Sequence, residues 1–258
     1  MPKMKLYGLI GFPLTHSYSK ILFDKMFAQH QIGDSSYKLF PLEDLSALDH
    51  LIVETPDLIG LNVTIPYKVK IISLLNQLSP EAQSIGAINC VFIQRNANRY
   101  FLSGHNTDAS AFFSTLTEFN LQAVKRALII GNGGAAKAVI YSLNKSGIEF
   151  KIAGRKGSKG VDYQLTLMDQ IEFSNFDLIV NCTPVGMHPY IDETPLPSHL
   201  HLNENQIVYD LIYNPVESAL LKSALMNKCK VFNGMRMLEL QAEMAYQWWL
   251  ENNISINK

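Results

Sequence analysis

A chain of 258 residues is long enough for one large domain or two small ones, each with its own core. Its charged residues, 17% of the total, sum to a net charge of -1, which leaves no long-range field to draw in a polyanion and argues against nucleic acid as a partner. No apolar run reaches the length of a membrane span, and the apolar stretch at residues 6–10 is broken by Gly8 and followed by polar turn-formers, unlike a secretion signal.

Short runs of β character alternate with helical spacing from the start. Residues 6–12, 37–42, 58–65 and 87–93 are predicted strands, and 19–31, 45–54 and 69–78 carry apolar residues at helical spacing. Residues 95–98 form a turn joining 89–93 to 100–103, so a hairpin is expected on the first sheet. After a helix over 108–120 come purer apolar strands at 127–130, 150–153, 177–182, 207–211 and 230–232. Leu128-Ile129-Ile130 and Leu178-Ile179-Val180 are apolar on both faces and suit a parallel sheet covered by helices on each side. The class is therefore α/β, built from βαβ units. The last element, 237–252, is helical and carries Leu240, Met244, Tyr246, Trp248 and Trp249. So much apolar surface must be buried, which predicts that this helix packs back on the first domain. The expected boundary lies at 105–108. It separates an α/β domain over 1–107, completed by the helix 236–258, from a Rossmann-type dinucleotide domain over 108–235. Cys90, Cys182 and Cys229 lie far apart without C-x-x-C spacing, so reduced thiols and a cytoplasmic location are expected.

The predicted strand 127–130 runs into Gly131-Asn132-Gly133-Gly134-Ala135-Ala136 and then a helix, which fits G-x-G-x-x-G/A inside a βαβ unit. Gly131 permits the tight turn, Gly133 lets the backbone approach a pyrophosphate, and Ala136 allows close helix–strand packing. The helix N-terminus then offers free N–H groups to the anion. Where an NAD site would place Asp or Glu after the second strand, the chain reads Ala153-Gly154-Arg155-Lys156-Gly157-Ser158-Lys159, with no acid until Asp162. Arg155 presents a fork of donors suited to a 2′-phosphate, with Lys156, Ser158 and Lys159 beside it, so NADP is the expected cofactor.

A Rossmann domain does not name a substrate. Four polar segments of the first half do more: Gly11-Phe12-Pro13-Leu14-Thr15-His16-Ser17-Tyr18-Ser19, Asn62-Val63-Thr64-Ile65-Pro66-Tyr67-Lys68, Gly86-Ala87-Ile88-Asn89 and Asn106-Thr107-Asp108. Each lies at or near a predicted strand end, where open α/β sheets gather ligands. Their hydroxyls (Ser17, Ser19, Thr64), amide (Asn89), lysine (Lys68) and aspartate (Asp108) suit a small polyol acid. Plain structural readings stand beside this one. Lys68 is equally a solvated residue at a helix start, Asp108 an N-cap for a helix from Ala109, and Ser17 and Ser19 caps. His16 and His105 read as hydrogen-bonded scaffold. His199 and His201 flank Leu200 without further ligands, so no metal is expected. Gln241 shares a helical stripe with Met237, Met244 and Trp248, where an amide needs a polar partner.

The four segments resemble the G-x-P-x-x-H-S-x-S, N-V-T-x-P-x-K, G-A-x-N and N-T-D signatures of shikimate dehydrogenases. The later Asn181-Cys182-Thr183-Pro184-Val185-Gly186-Met187, Tyr209-Asp210-Leu211-Ile212-Tyr213-Asn214-Pro215 and Gly234-Met235-Arg236-Met237 with Gln241 match in order, so the resemblance runs from Tyr7 to about Ala245. It implies an N-terminal substrate domain, a C-terminal NADP domain, and reversible NADPH-dependent reduction of 3-dehydroshikimate to shikimate in aromatic amino acid biosynthesis. It also implies roles. Ser17 and Ser19 bind the carboxylate with Tyr213 nearby, while Thr64, Asn89, Asp108 and Gln241 hold ring hydroxyls. Lys68 and Asp108 form the catalytic pair, Lys68 also meeting substrate. Gly131, Asn132, Gly133, Gly134, Ala135, Arg155, Lys156 and Thr183 line the dinucleotide, and Leu211, Gly234 and Met237 border the nicotinamide. Two positions depart from the family: its usual Asn-Arg-Thr is here Gly154-Arg155-Lys156, and a frequent methionine is Leu211. The alternatives are a dehydrogenase of quinate or of both acids, with NAD use, and a non-catalytic NADP- or shikimate-binding regulator. Either way the partner is a small molecule and the assembly a monomer or homodimer.

Overall fold

The computed structural model describes residues 4–96, 99–121, 123–158, 160–197 and 202–256, the side chains of 169, 170, 255 and 256 excepted. Lys159, His199, His201 and the tip of the predicted hairpin at 97–98 lie outside them. The chain divides into two compact units, Met1–Thr107 with Glu239–Lys258, and Asp108–Leu238.

The first unit runs β1 (Lys5–Gly11), α1 (Ser19–Gln29), β2 (Ser35–Pro41), α2 (Leu48–Glu54), β3 (Leu58–Val63), β4 (Gln77–Leu78), α3 (Pro80–Ile85), β5 (Cys90–Asn96) and β6 (Arg99–His105). The second holds α4 (Asp108–Glu118), β7 (Arg126–Ile130), α5 (Gly134–Lys145), β8 (Glu149–Gly154), β9 (Tyr163–Gln164), β10 (Leu178–Asn181), β11 (Ile207–Asp210), α6 (Ala219–Met226) and β12 (Lys230–Asn233). The final helix, α7 (Met235–Ile256), starts in the second unit and from Glu239 belongs to the first.

The first sheet has the order β2-β1-β3-β5-β6-β4. β1 is parallel to both β2 and β3, whereas β5 is antiparallel to β3 and to β6. Alternate strand residues serve opposite faces, as the pleat requires. Leu6, Ile10, Leu61, Val63 and Val91 join Leu48, Ile52, Tyr67, Ile71 and Ala82 in one core. Tyr7, Leu9, Cys90 and Phe92 join Phe23, Phe27, Tyr246 and Trp249 in the other. Trp249 is the centre of that second layer. Its indole stacks on Tyr7 with centroids 4.8 Å apart, its Nε1–H donates to the Val91 carbonyl at 2.9 Å, and it lies flat over β3 because residue 60 is glycine. A Cβ on Gly60 would stand 2.5 Å from the indole.

The second sheet, β12-β11-β10-β7-β8-β9, is parallel throughout. Numbered within the unit, this is the 3-2-1-4-5-6 order of a Rossmann domain. On one face Leu128, Ile130, Ile179 and Val208 pack with Leu220, Leu221 and Ala224 of α6. α4 and α5 pack against each other, tied by the Ser142 hydroxyl donating to the Ala109 carbonyl at 2.7 Å.

Two expectations fail locally. The predicted helix 69–78 is a 3-10 turn over Lys70–Leu74 followed by the edge strand β4. Asn76 is the cause: its N–H donates to the Leu102 carbonyl and its side-chain oxygen accepts the Leu102 N–H, so pairing with β6 overrides the helical spacing. The unforeseen α3 begins on two signals, the Ser79 hydroxyl accepting the Ala82 N–H and Pro80 in the first turn, and ends at Gly86, left-handed at φ 67°. Its presence delays the strand predicted from residue 87 to Cys90. α6, also unforeseen, is capped by the Ser218 hydroxyl accepting the Leu221 N–H.

Replacing Trp249 by alanine is expected to cost about 3–5 kcal/mol, the range for deleting a large buried aromatic, read as a shift in the urea unfolding midpoint. Tyr7→Phe is the contrast. The buried Tyr7 hydroxyl has no hydrogen-bond partner among the described residues, so its removal should leave the midpoint unchanged or higher. A loss from Tyr7→Phe as large as that from Trp249→Ala would refute this view of the core.

Candidate active site

In the first unit three of the polar segments, with Asn106 and Thr107 of the fourth, meet at one end of the sheet. β1 and β3 are parallel neighbours, so the loops that follow them lie side by side, with the Phe12 N–H donating to the Ile65 carbonyl at 3.0 Å. Gly11 is needed there: a Cβ would overlap the Thr64 methyl. Thr64 is half-buried and its N–H donates to the Ile10 carbonyl. Lys68 is held by its neighbours. The Tyr67 phenol donates to the Leu42 carbonyl at 2.6 Å, and the Lys68 carbonyl accepts the Ile88 N–H at 2.7 Å. Across the loop, the Ser17 hydroxyl accepts the Ser19 N–H at 3.3 Å in a local turn, while the N-cap position of α1 is Tyr18, without a side-chain cap, so neither serine is the N-cap. Ser19 itself is buried.

β5 and β6 bring the remaining groups to the same end. Asn89, just before β5, is 2% exposed. Its side-chain oxygen accepts the Thr107 N–H at 2.7 Å, and its amide nitrogen donates to the Thr107 hydroxyl at 2.8 Å and to Gln241 Oε1 at 3.2 Å. The need of the Gln241 amide for a polar partner is thus met inside the unit, by Asn89. Behind Asn89 stands a pair that sequence patterning did not single out. The Tyr37 phenol donates to Asn62 Oδ1 at 2.8 Å, and Asn62 Nδ2 donates to the Asn89 carbonyl at 3.2 Å. His105 is scaffold. It stacks on Trp248 at 5.1 Å and its Nδ1 shares a 2.8 Å hydrogen bond with the Ser79 hydroxyl, while burial pulls its pKa below the usual imidazole value. His16 is exposed.

The second unit begins at Asp108, the first residue of α4. Its glycine turn separates two requirements. Gly131 needs its freedom, with φ 111° and the Cys182 and Thr183 segment 3.1–3.3 Å from where a Cβ would stand. Gly133 is required by neither backbone nor packing among the described residues: its φ is -80° and none of their atoms lies within 4 Å of a Cβ there. The space beside it is open, and α5 starts there without a side-chain cap, so its first N–H groups can receive an anion. Asn132, Gly134 and Ala135 complete the turn, and Ala136 is fully buried against the sheet. These residues fit a dinucleotide. Arg155 and Lys156 follow β8, both exposed. Asp162, the first acid after them, is already committed: its carboxylate accepts the Ile152 N–H at 2.8 Å and Lys151 Nζ at 2.9 Å.

Beyond β10 and β11 a buried network fixes further positions. Asn181 Oδ1 accepts the Thr183 N–H and hydroxyl, at 2.9 and 2.7 Å, while its Nδ2 donates to Asp210 at 2.9 Å. Asp210 also accepts from the Ser218 hydroxyl at 2.5 Å and the Ile212 N–H at 3.1 Å. Leu211 and Gly234 are adjacent: the Gly234 N–H donates to the Ile212 carbonyl, and a Cβ on Gly234 would overlap the Leu211 backbone. Tyr213 is half-buried in the loop after β11, and Met237 lies in the first turn of α7.

Burial pushes the Asp210 carboxyl up to about 6, although the bonds from Ser218, Ile212 and Asn181 pull it down. A raised acid stabilises the fold while protonated. That contribution is fully present below the ordinary carboxylate value and is lost as pH rises through about 6. Asp210→Asn keeps the shape, the Ser218 hydroxyl turning from donor to acceptor. Relative to the parent, the variant should gain on the order of 3 kcal/mol in unfolding free energy between pH 4 and pH 7. A difference that stays flat across that range removes Asp210 from the pH dependence.

A family model described as the shikimate dehydrogenase substrate binding domain matches residues 9–91. A shikimate dehydrogenase (NADP(+)) of Clostridium beijerinckii is 37% identical, the alignment covering 96% of this chain and 93% of that one. Among solved structures, shikimate dehydrogenase 1 of Peptoclostridium difficile superposes with a TM-score of 0.84 at 34% identity, over 96% of this chain and 92% of that one. The shikimate 5-dehydrogenase of Thermus thermophilus, solved with NADP(H) and shikimate, gives 0.82 at 30% identity, over 95% and 93%. With identity of this order along nearly its whole length, the chain belongs to the shikimate dehydrogenase family.

Proposed function

We propose that this chain is an NADP-dependent shikimate dehydrogenase, catalysing the reversible reduction of 3-dehydroshikimate to shikimate. The observation that carries this reading is the meeting of Ser17, Ser19, Thr64, Lys68 and Asn89 at one sheet end of a chain related to shikimate dehydrogenases over nearly its whole length. The first unit is the substrate domain and the second the dinucleotide domain.

Ser17 and Ser19 receive the substrate carboxylate, with Tyr213. Thr64, Asn89, Asp108 and Gln241 take the ring hydroxyls. Asn89 already spends its amide hydrogens on Thr107 and Gln241 and its oxygen accepts the Thr107 N–H, so its part is chiefly to fix Gln241. Lys68 delivers a proton to the oxygen at C3 during reduction and takes it back during oxidation, with Asp108 as the second member of the pair. Gly131, Asn132, Gly133, Gly134, Ala135 and the start of α5 hold the pyrophosphate, Arg155 and Lys156 the 2′-phosphate, and Thr183, Leu211, Gly234 and Met237 the nicotinamide side. When bound, the dinucleotide supplies the hydride.

Among the described residues no helix is long and apolar enough to cross a membrane. The enzyme is read as cytoplasmic and as a monomer or homodimer; three cysteines that form no disulfide, two of them buried, suit a reducing compartment.

Initial rates with shikimate and quinate, each with NADP+ and NAD+, test the assignment. Shikimate with NADP+ is expected to give the highest kcat/KM, and a clear preference for quinate with NAD+ overturns it. Lys68→Ala should lower kcat by about 10²–10⁴ with KM little changed. Undiminished turnover in that variant takes Lys68 out of the chemistry.

A further inference from the structure

Gly154 closes β8 about twenty residues after the glycine turn, where this fold places the acid that binds a ribose 2′-hydroxyl in NAD enzymes. A glycine there calls for a cause. Its backbone is not left-handed, so conformation does not demand it. The demand comes from Val161. A Cβ on Gly154 would overlap the Val161 Cγ1 methyl, with the Val161 Cβ at 3.3 Å and Asn132 Cγ, of the glycine turn itself, at 3.4 Å. The Val161 side chain thus fills the room that a side chain at residue 154 would need.

The valine is held in place from both sides. Arg155 begins a loop that contains Gly157 and Gly160, left-handed at φ 78° and 71°, and turns on the Ser158 N–H donating to the Arg155 carbonyl at 3.1 Å. It returns at Asp162, whose N–H donates to the Ile152 carbonyl at 2.8 Å and whose carboxylate accepts the Ile152 N–H and Lys151 Nζ. Asp162 is therefore spent on anchoring the loop, and Val161 is pressed against Gly154 as a consequence.

We propose that Val161 is a specificity-determining residue for the dinucleotide. By filling the place of a side chain at residue 154, it keeps a carboxylate away from the 2′ position and leaves the exposed cations Arg155 and Lys156 to meet that position. The inference rests on the reading of the second unit as an NADP site. It predicts that NAD recognition is blocked by packing as well as by the missing acid, so that introducing the acid succeeds only when the valine is trimmed.

The test is calorimetric titration of the full chain with NADP+ and with NAD+, together with thermal unfolding of the nucleotide-free protein. Four forms are compared: parent, Val161→Ala, Gly154→Asp and the double variant. Gly154→Asp should lower the melting temperature, and adding Val161→Ala should recover most of the loss. The double variant should shift the ratio of Kd values toward NAD+ by about ten- to a hundredfold, the factor carried by a hydrogen bond to a charged group. Val161→Ala alone should leave the ratio where it is in the parent. A double variant with the parental ratio, or Gly154→Asp alone shifting it as far as the double, overturns the role of Val161 while leaving the NADP reading intact. A parent protein that binds neither dinucleotide overturns that reading, and the inference with it.

Discussion

Asn89 is the joint on which the first unit turns. Its main-chain N–H donates to the His105 carbonyl, and its carbonyl accepts from the Val63 N–H and the Asn62 amide. Its side chain engages Thr107 and, on α7, Gln241. An amide buried this deeply costs free energy unless its groups are satisfied, and each orphaned group would cost about 1–3 kcal/mol. The partners come from β3, from the end of β6 and from the last helix. The hydrogen bonds of one residue, main chain and side chain together, therefore tie three elements to one another and hold the Gln241 side chain in one place.

The second unit is organised on the opposite principle. Its glycine turn works by what it leaves unfilled: among the described residues no side chain stands beside Gly133 and none caps α5. Rigidity is supplied a layer below, where Asn181 and Asp210 join the ends of β10 and β11 and pass their order to Thr183, Ile212 and the Ser218 cap of α6. Open donors for an anion and a buried carboxylate with a raised pKa are two sides of one arrangement. The burial that makes the strand ends rigid also disfavours the charge on Asp210.

The glycine turn was legible in the sequence because strand, turn and helix are contiguous from Arg126 to Lys145 and each residue type has a local reason. The signals of α3 were present too, in Ser79, Pro80 and Gly86, yet helical spacing over 69–78 masked them. That spacing lost to the pairing of Asn76 with Leu102, a contact across 26 residues that no local pattern announces. Tyr37 with Asn62 and Asp210 with Ser218 escaped for the same reason: each is a polar residue whose partner is supplied by the tertiary fold. Asp162 reads in sequence only as the first acid after β8, and its commitment to Ile152 and Lys151 emerges once the return of the loop is known.

Strand direction explains why one half of the molecule yields its residues more readily than the other. In the parallel second sheet a candidate cofactor position follows each of five strands: Gly131 after β7, Arg155 after β8, Thr183 after β10, Leu211 after β11 and Gly234 after β12. Reading the residues just past each apolar run recovers that set, as expected for a sheet whose ligands gather at the carboxyl ends. The first sheet breaks the rule. β5 runs antiparallel to β3, so the residue that precedes it, Asn89, reaches the end where β1 and β3 finish. β6 then returns His105 and Thr107 to the same place. Had β5 been parallel, Asn89 would lie at the far end of the sheet and Gln241 would lose its partner. The mixed topology thus recruits both ends of its strands to one set of polar groups, and a small, densely hydroxylated acid needs such crowding of donors and acceptors within a few ångströms.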